Sequence, residues 1–232
     1  MARPPADPAR QRERAHRILD AAAGLIHRFG YDKTTIDDIA KAAGVAKGTI
    51  YLHWKTRDAL FAALLRRERV QLLHDVRQSA PTTLHDLLRA LAGELLRRPL
   101  MRASLVGDSE VLGKLTRDRG EEGDLPMGGL FRTYVEALRE HGALRADLTT
   151  AEHLTVLFST LYGFLTVRRY LPDSMKAPED RLAELLADAA RRAVESGEPG
   201  DAEAVAKATQ GYLDAALEIA QDRLRASLDK EV

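Results

Sequence analysis

Hydrophobic positions recur along this chain at helical spacing. In residues 10–29, Ile18, Leu19, Ala22, Leu25, Ile26 and Phe29 fall on one face, and Gly30 follows as a stop. The next stretch, TTIDDIAKAAG, opens with Thr35 and Asp38 three apart, a capping box with Asp in place of the usual Glu. Ile36, Ile39 and Ala40 form its buried side, and Gly44 ends it. A third short helix is expected from about residue 46 to 52. Thr56 then reads as an N-cap with Asp58 in the first turn. The long helix that follows places Leu60, Phe61, Leu64, Leu65, Leu72, Leu73 and Val76 inward.

Beyond Pro81 the pattern predicts helices over 83–97, about 102–116 and 127–141, with a mobile loop at 117–129. Thr149 and Glu152 make a second capping box, opening a helix over 150–171. Its segment LTVLFSTLYGFLTV is apolar nearly all round, so it should be buried on more than one side. Pro178 suits the first residue of a helix running to about 195. After the break SGEPGD, a last helix over 201–228 carries Val205, Tyr212, Leu213, Ala216, Leu217, Ala220, Leu224 and Leu228 on one face, and its place in the fold is open. No alternating strand pattern and no internal repeat occurs, so the class is all-α.

Composition narrows the function. The 232 residues are 45 % hydrophobic and 30 % charged, the balance of a soluble globular protein. Cysteine is absent, which removes disulfides, thiolate zinc sites and a cysteine nucleophile and is compatible with a cytoplasmic location. No apolar run reaches a membrane span, and the basic N-terminus lacks the apolar core of a signal peptide. Net charge is zero, but residues 1–57 carry eleven Lys and Arg against six Asp and Glu. A basic end on a neutral chain points to a polyanion partner. Residues 1–9, with three prolines, read as a flexible arm. Arg10, Arg12, Arg14 and Arg17 beyond it are either a DNA-backbone arm or a solvated end.

Two short helices joined by a glycine turn, behind a longer first helix, are the parts of a helix-turn-helix unit. The second short helix would enter a DNA major groove. Ala46, Gly48 and Thr49 are small enough for close backbone approach, and Lys47 adds charge. Thr49 can meet a phosphate or a thymine methyl, and Tyr51 can give its hydroxyl to a phosphate. Lys55 and Arg57 are further candidate phosphate contacts, and Thr35 joins the set at the start of the preceding helix. His53 either touches a phosphate or packs. Trp54 reads as a core plug that seats the helix.

The run TTIDDIAKAAGVAKGTIYLHWKTRDAL, residues 34–60, resembles the DNA-binding signature of the tetracycline-repressor (TetR) family. The match runs through Thr35, Ile39, Ala40, Ala43, Gly44, Val45, Gly48, Thr49, Ile50, Tyr51, His53 and Leu60. Trp54 and Arg57 stand where the family has Phe and Lys, keeping an aromatic plug and a cation. The resemblance implies a helix-turn-helix domain over 10–56 and a helical ligand-binding and dimerisation domain over 57–232. It also implies a homodimer through 150–171 and 178–195, binding a palindromic operator, and release by a small-molecule effector. The sign of control implied is repression. The alternatives are an activator or ligand-independent regulator of the same fold, or a helical adaptor without DNA binding.

Candidate ligand contacts among the middle helices are His74, Met101, Leu105, Met127, Phe131, Tyr134, Phe158 and Tyr162. Any of them can equally be core. Motifs of hydrolases, P-loop enzymes and dinucleotide binders are absent, so no catalytic residue and no cofactor is expected. The adjacent pairs His74-Asp75 and His85-Asp86 diverge by about 100° per residue on a helix, so neither pair converges on a metal.

Overall fold

The computed structural model describes residues 8–107, 126–198 and 200–228. Ten α-helices follow one another in these residues: α1 Pro8–Phe29, α2 Ile36–Ala43, α3 Lys47–His53, α4 Arg57–Gln78, α5 Leu84–Arg97, α6 Pro99–Val106, α7 Pro126–Glu140, α8 Thr150–Val167, α9 Glu179–Val194 and α10 Ala202–Leu228. Among the described residues there is no strand, only an isolated bridge between Leu144 and Glu195.

The expected local signals act where the sequence puts them. Thr35 caps α2 with the reciprocal Asp38 bond, and Gly44 closes it in the left-handed region at φ 65°. Thr56 accepts from the Ala59 amide at the head of α4, and Thr149 with Glu152 completes the box on α8.

Four boundaries differ from expectation. Helix α1 begins at Pro8, where the missing N–H costs nothing, so Arg10 to Arg17 lie on a helix. Helix α6 starts at Pro99 for the same reason and stops at Gly107, φ 71°, rather than spanning 102–116. Helix α8 ends at Val167 and gives way to a 3₁₀ turn, Arg168–Tyr170, because Leu171 precedes Pro172 and is held extended. Pro178 caps α9 from outside instead of opening it. Residues 117–125 of the expected loop fall outside the described residues, as do residues 1–7 of the expected arm, while residues 126–129 of that loop are the first turn of α7.

Two hydrophobic clusters form. One gathers Ile18, Leu19, Ile39, Ile50, Trp54, Phe61 and their neighbours from α1–α4. The other gathers Leu72, Leu87, Leu138, Leu157, Leu186, Leu213 and their neighbours from α4 onward. Helix α4 belongs to both, through Leu60–Leu64 at one end and Leu72–Val76 at the other. It is a rod of about 33 Å that spans the two clusters. At its middle, buried Arg67 donates to the Asp20 carboxylate at 2.7 Å and to the His16 carbonyl at 3.2 Å, tying the rod to α1.

The last helix, open on sequence grounds, lies against α4 and α7 of its own chain. Gln210 donates to the Pro81 carbonyl at 2.7 Å, Arg77 of α4 pairs with Asp214, and Leu228 at its tip packs on the N-terminal cluster.

Candidate functional site

Helix α3 is seated by one face and open on the other. Ile50 is fully buried and Trp54 is 3 % exposed, so together they anchor the helix on α1, α2 and α4. Ala46, Lys47, Gly48 and Tyr51 are exposed, and Thr49 is half-buried. A side chain built at Gly48 would meet nothing within 4 Å, so the glycine is not there for internal packing. Leu52, which sequence reasoning passed over, is 60 % exposed on the same short helix. Lys55 is also exposed.

Two of the expected contacts turn inward. His53 is buried, its ring 5.4 Å from that of Trp54. Arg57 donates from Nε to the Thr34 carbonyl at 3.1 Å and from Nη2 to the Tyr31 carbonyl. Its guanidinium carbon lies 4.0 Å from the centre of the Tyr31 ring. The Tyr31 hydroxyl donates in turn to Asp58 at 2.6 Å. Burial, then that hydrogen bond, raises the Tyr31 pKa, so the phenol stays protonated and donating. The sequence shows a cation at 57 but not the two carbonyls waiting for it across the α1–α2 loop.

The remaining pair carries opposite charges. Lys47 Nζ lies 2.8 Å from Asp37 Oδ2, both at the surface, and this contact raises the Lys47 pKa. Thr35 is exposed, but its hydroxyl donates to Asp38 Oδ2 at 2.6 Å and accepts from the Asp38 amide. The hydroxyl's bond, and then the one from the Thr35 amide, hold the Asp38 carboxyl below its usual range. Thr35 therefore builds the cap first, whatever else it touches.

The expected ligand residues divide. Phe131, Tyr134 and Phe158 are brought together, with Phe131 5.9 Å from Tyr134 and 5.7 Å from Phe158. Tyr212 of α10, expected on the buried face of that helix but not among the ligand candidates, stacks on Tyr134 at 5.1 Å. Tyr134 is buried and its hydroxyl meets the Thr209 hydroxyl at 3.0 Å. Burial pushes the Tyr212 phenol up to about 12. Met101 is buried and Leu105 and Tyr162 are partly so, while His74 stands exposed beside Asp75. The side chain of Met127 lies outside the described residues.

A cavity of about 390 Å³ opens elsewhere, between α4, α5 and α9, lined by Asp75, Ser79, Arg89, Glu94, Arg97 and Glu184 among others. Its wall is charged: buried Glu94 pairs with Arg97 and Arg98, and Arg98 reaches Asp75 on α4. None of the expected ligand residues borders it.

Helix α8 buries a single stripe, His153, Leu157, Leu161 and Leu165. The stripe Thr155, Ser159, Gly163 and Val167 stays exposed, as does Leu185 on α9. The all-round burial expected for α8 is therefore only half supplied within one chain. No helix among the described residues is long and apolar enough to cross a membrane.

Comparison with known proteins agrees with this arrangement. Residues 18–64 match the family model for bacterial regulatory proteins of the tetR family. The transcriptional regulator AcrR of Shigella flexneri is 44 % identical over 193 residues, covering 76 % of this chain and 88 % of that protein. The transcriptional repressor KstR of Mycolicibacterium smegmatis is 31 % identical over 171 residues, covering 72 % of this chain and 83 % of KstR. The fatty acid degradation regulator FadR of Bacillus halodurans shares the fold, with a TM-score of 0.55 at 21 % identity over 81 % of this chain and 97 % of its own. This chain belongs to the TetR family of bacterial transcriptional regulators, DNA-binding proteins rather than enzymes.

Proposed function

We propose that the chain is a ligand-responsive repressor that binds a palindromic operator as a homodimer and is released by a small-molecule effector. The observation that carries DNA reading is the open face of α3, where Ala46, Lys47, Gly48, Tyr51 and Leu52 are exposed while Ile50 and Trp54 are sunk. Such a surface lets the helix backbone enter a major groove. Tyr51 and Lys55 then meet phosphates, and Thr49 and Leu52 lie where thymine methyls are read. Residues 10–56 form the reading unit and 57–232 the regulatory one.

The dimer is supported by the exposed stripe of α8 with Leu185 on α9. Small residues there allow two helices to pack closely against their symmetry mates, completing a four-helix bundle. A two-fold axis then sets two α3 helices about 34–36 Å apart. Repression is supported by relatives such as KstR, whose name records a repressor. The effector acts by population shift, favouring a state in which α4 tilts and the half-site spacing is lost.

The test is titration of the full-length chain with a palindromic fragment from upstream of its own gene, over a series of salt concentrations. Specific binding with a steep salt slope is expected. Absence of DNA binding even at low salt would sink the reading and favour the adaptor. Light scattering behind size exclusion reads the dimer, which Leu185→Arg should convert to monomer. An effector that binds tightly yet leaves operator affinity unchanged would overturn the population shift.

A further inference from the structure

Outside the DNA-reading face, three metal-ligating side chains converge from two helices far apart in sequence. His85 stands in the first turn of α5. Glu184 and Asp188 stand one turn apart on α9 and so share a face. His85 Nε2 lies 3.4 Å from Asp188 Oδ1 and 3.7 Å from Glu184 Oε1. One donor atom from each residue lies within 4.8 Å of the other two.

The Nε2 atom is the informative one. It is shielded from solvent and makes no hydrogen bond, so the structure leaves its polar capacity unused between two carboxylates. A direct N–H···O bond would draw the atoms to about 2.9 Å. Ligands of one tetrahedral cation, each about 2.0–2.2 Å from the ion, sit roughly 3.4 Å apart. The 3.4 and 3.7 Å separations of Nε2 from the two carboxylates lie nearer the second spacing. On the other side of the ring, Nδ1 faces Asp86 Oδ1 at 3.8 Å, and Asp86 is itself held by the Thr83 hydroxyl at 2.9 Å.

We propose that His85, Glu184 and Asp188 form a site for a first-row divalent cation, zinc(II) in the first instance. One imidazole and two carboxylates are an N/O set that suits zinc better than magnesium or calcium, which prefer oxygen alone. The three side chains are only partly exposed, so a fourth position remains for water on the solvent side. The competing cations are Arg191, which donates to Asp188 Oδ1 at 3.3 Å, Arg192 at 3.9 Å from Oδ2, and Arg89 at 3.8 Å from Glu184 Oε2. All three arginines are about half exposed or more, so these pairs are weak and yield to an ion. The bound ion fastens the start of α5 to the middle of α9. The site is independent of the DNA-binding reading.

The experiment uses the full-length chain, stripped with EDTA and passed into chelator-free buffer. Zinc chloride is titrated in competition with a chromophoric chelator, and cobalt(II) serves as a spectroscopic probe. Expected are one tight zinc per chain, visible cobalt bands of tetrahedral strength, and a zinc-dependent rise in melting temperature. His85→Gln and Asp188→Asn, near-isosteric changes at partly exposed positions, should each weaken zinc at least tenfold and abolish the melting shift, with helix content retained by circular dichroism. Zinc uptake that is absent, or equal in the wild type and both variants, overturns the proposal.

Discussion

The guanidinium carbon of Arg57 lies 4.0 Å from the centre of the Tyr31 ring, and the same group donates to the Thr34 and Tyr31 carbonyls. In the free chain this candidate phosphate contact latches the start of α4 to the α1–α2 loop. The two roles give opposite mutant phenotypes. Arg57→Ala should lower stability by about 2–3 kcal/mol, from lost charged hydrogen bonds and stacking. The salt slope of DNA binding should stay the same. Arg57→Lys should recover only part of the loss, because an ammonium cannot fork to two carbonyls while lying over a ring. Urea midpoints and a salt titration check this; an unchanged midpoint with a shallower slope would return Arg57 to the DNA.

Gly48 separates folding from DNA approach. A Cβ there meets nothing within 4 Å in the free chain, so Gly48→Ala should raise stability by about 0.5–1 kcal/mol through helix propensity. The same methyl stands on the face proposed to enter the groove and should weaken operator binding at least tenfold. A variant that is both more stable and fully DNA-competent would move the contact surface off α3.

Asp37 sits 2.8 Å from Lys47 and diverts part of its charge. Asp37→Asn frees the ammonium and removes a negative charge from the face proposed to meet the duplex. Tighter binding to any sequence is expected, with the salt slope steeper by about one phosphate contact. Lys47→Ala should do the reverse. Anisotropy with a random duplex reads both, and matching slopes in all three proteins would exclude Lys47 from the interface.

Trp54, the single tryptophan, is 3 % exposed, and its Nε1 has no hydrogen-bond partner. Emission of the DNA-free protein should be blue-shifted and move to the solvent value only on unfolding. Trp54→Phe keeps a ring and removes the idle donor, whereas Trp54→Ala leaves a cavity that costs about 3–5 kcal/mol. Equal losses in the two variants would argue that Trp54 is not the plug of α3.

What could be read from the sequence was what is encoded locally. Thr35 with Asp38, Gly44 and Thr56 act within four residues of themselves, so the helix-turn-helix boundaries followed from spacing alone. The end of α8 was legible too, since Leu171 stands before Pro172, but the apolar run hid it. Contacts across the fold were not legible. Amphipathicity says that α10 buries a face, not that the face meets α4 and α7. Considering His85 with its neighbour Asp86 was sound helix geometry, yet its other companions, Glu184 and Asp188, lie on α9. The ligand residues suffered most, because an aromatic such as Tyr134 has the same signature in a core as in a pocket.

His153 gives a prediction in pH. It is fully buried near the start of α8, where its Nδ1 lies 3.0 Å from the Thr149 carbonyl and its Nε2 has no partner. Burial lowers its pKa; the Arg139 and Arg145 charges act the same way, against the Thr149 bond and Asp147. The unfolded chain takes up its proton near pH 6.5 while the folded chain still resists it. Protons therefore bind the unfolded state more, and stability falls as pH drops from about 6.5 through the lower folded value. Above pH 6.5 both states are neutral at this residue and the effect vanishes. His153→Leu fills the site without a titrating group, so its urea midpoint should fall less than that of the wild type between pH 7.5 and pH 5.5. Equal falls in the two proteins would mean that the ring finds room to be protonated where it stands.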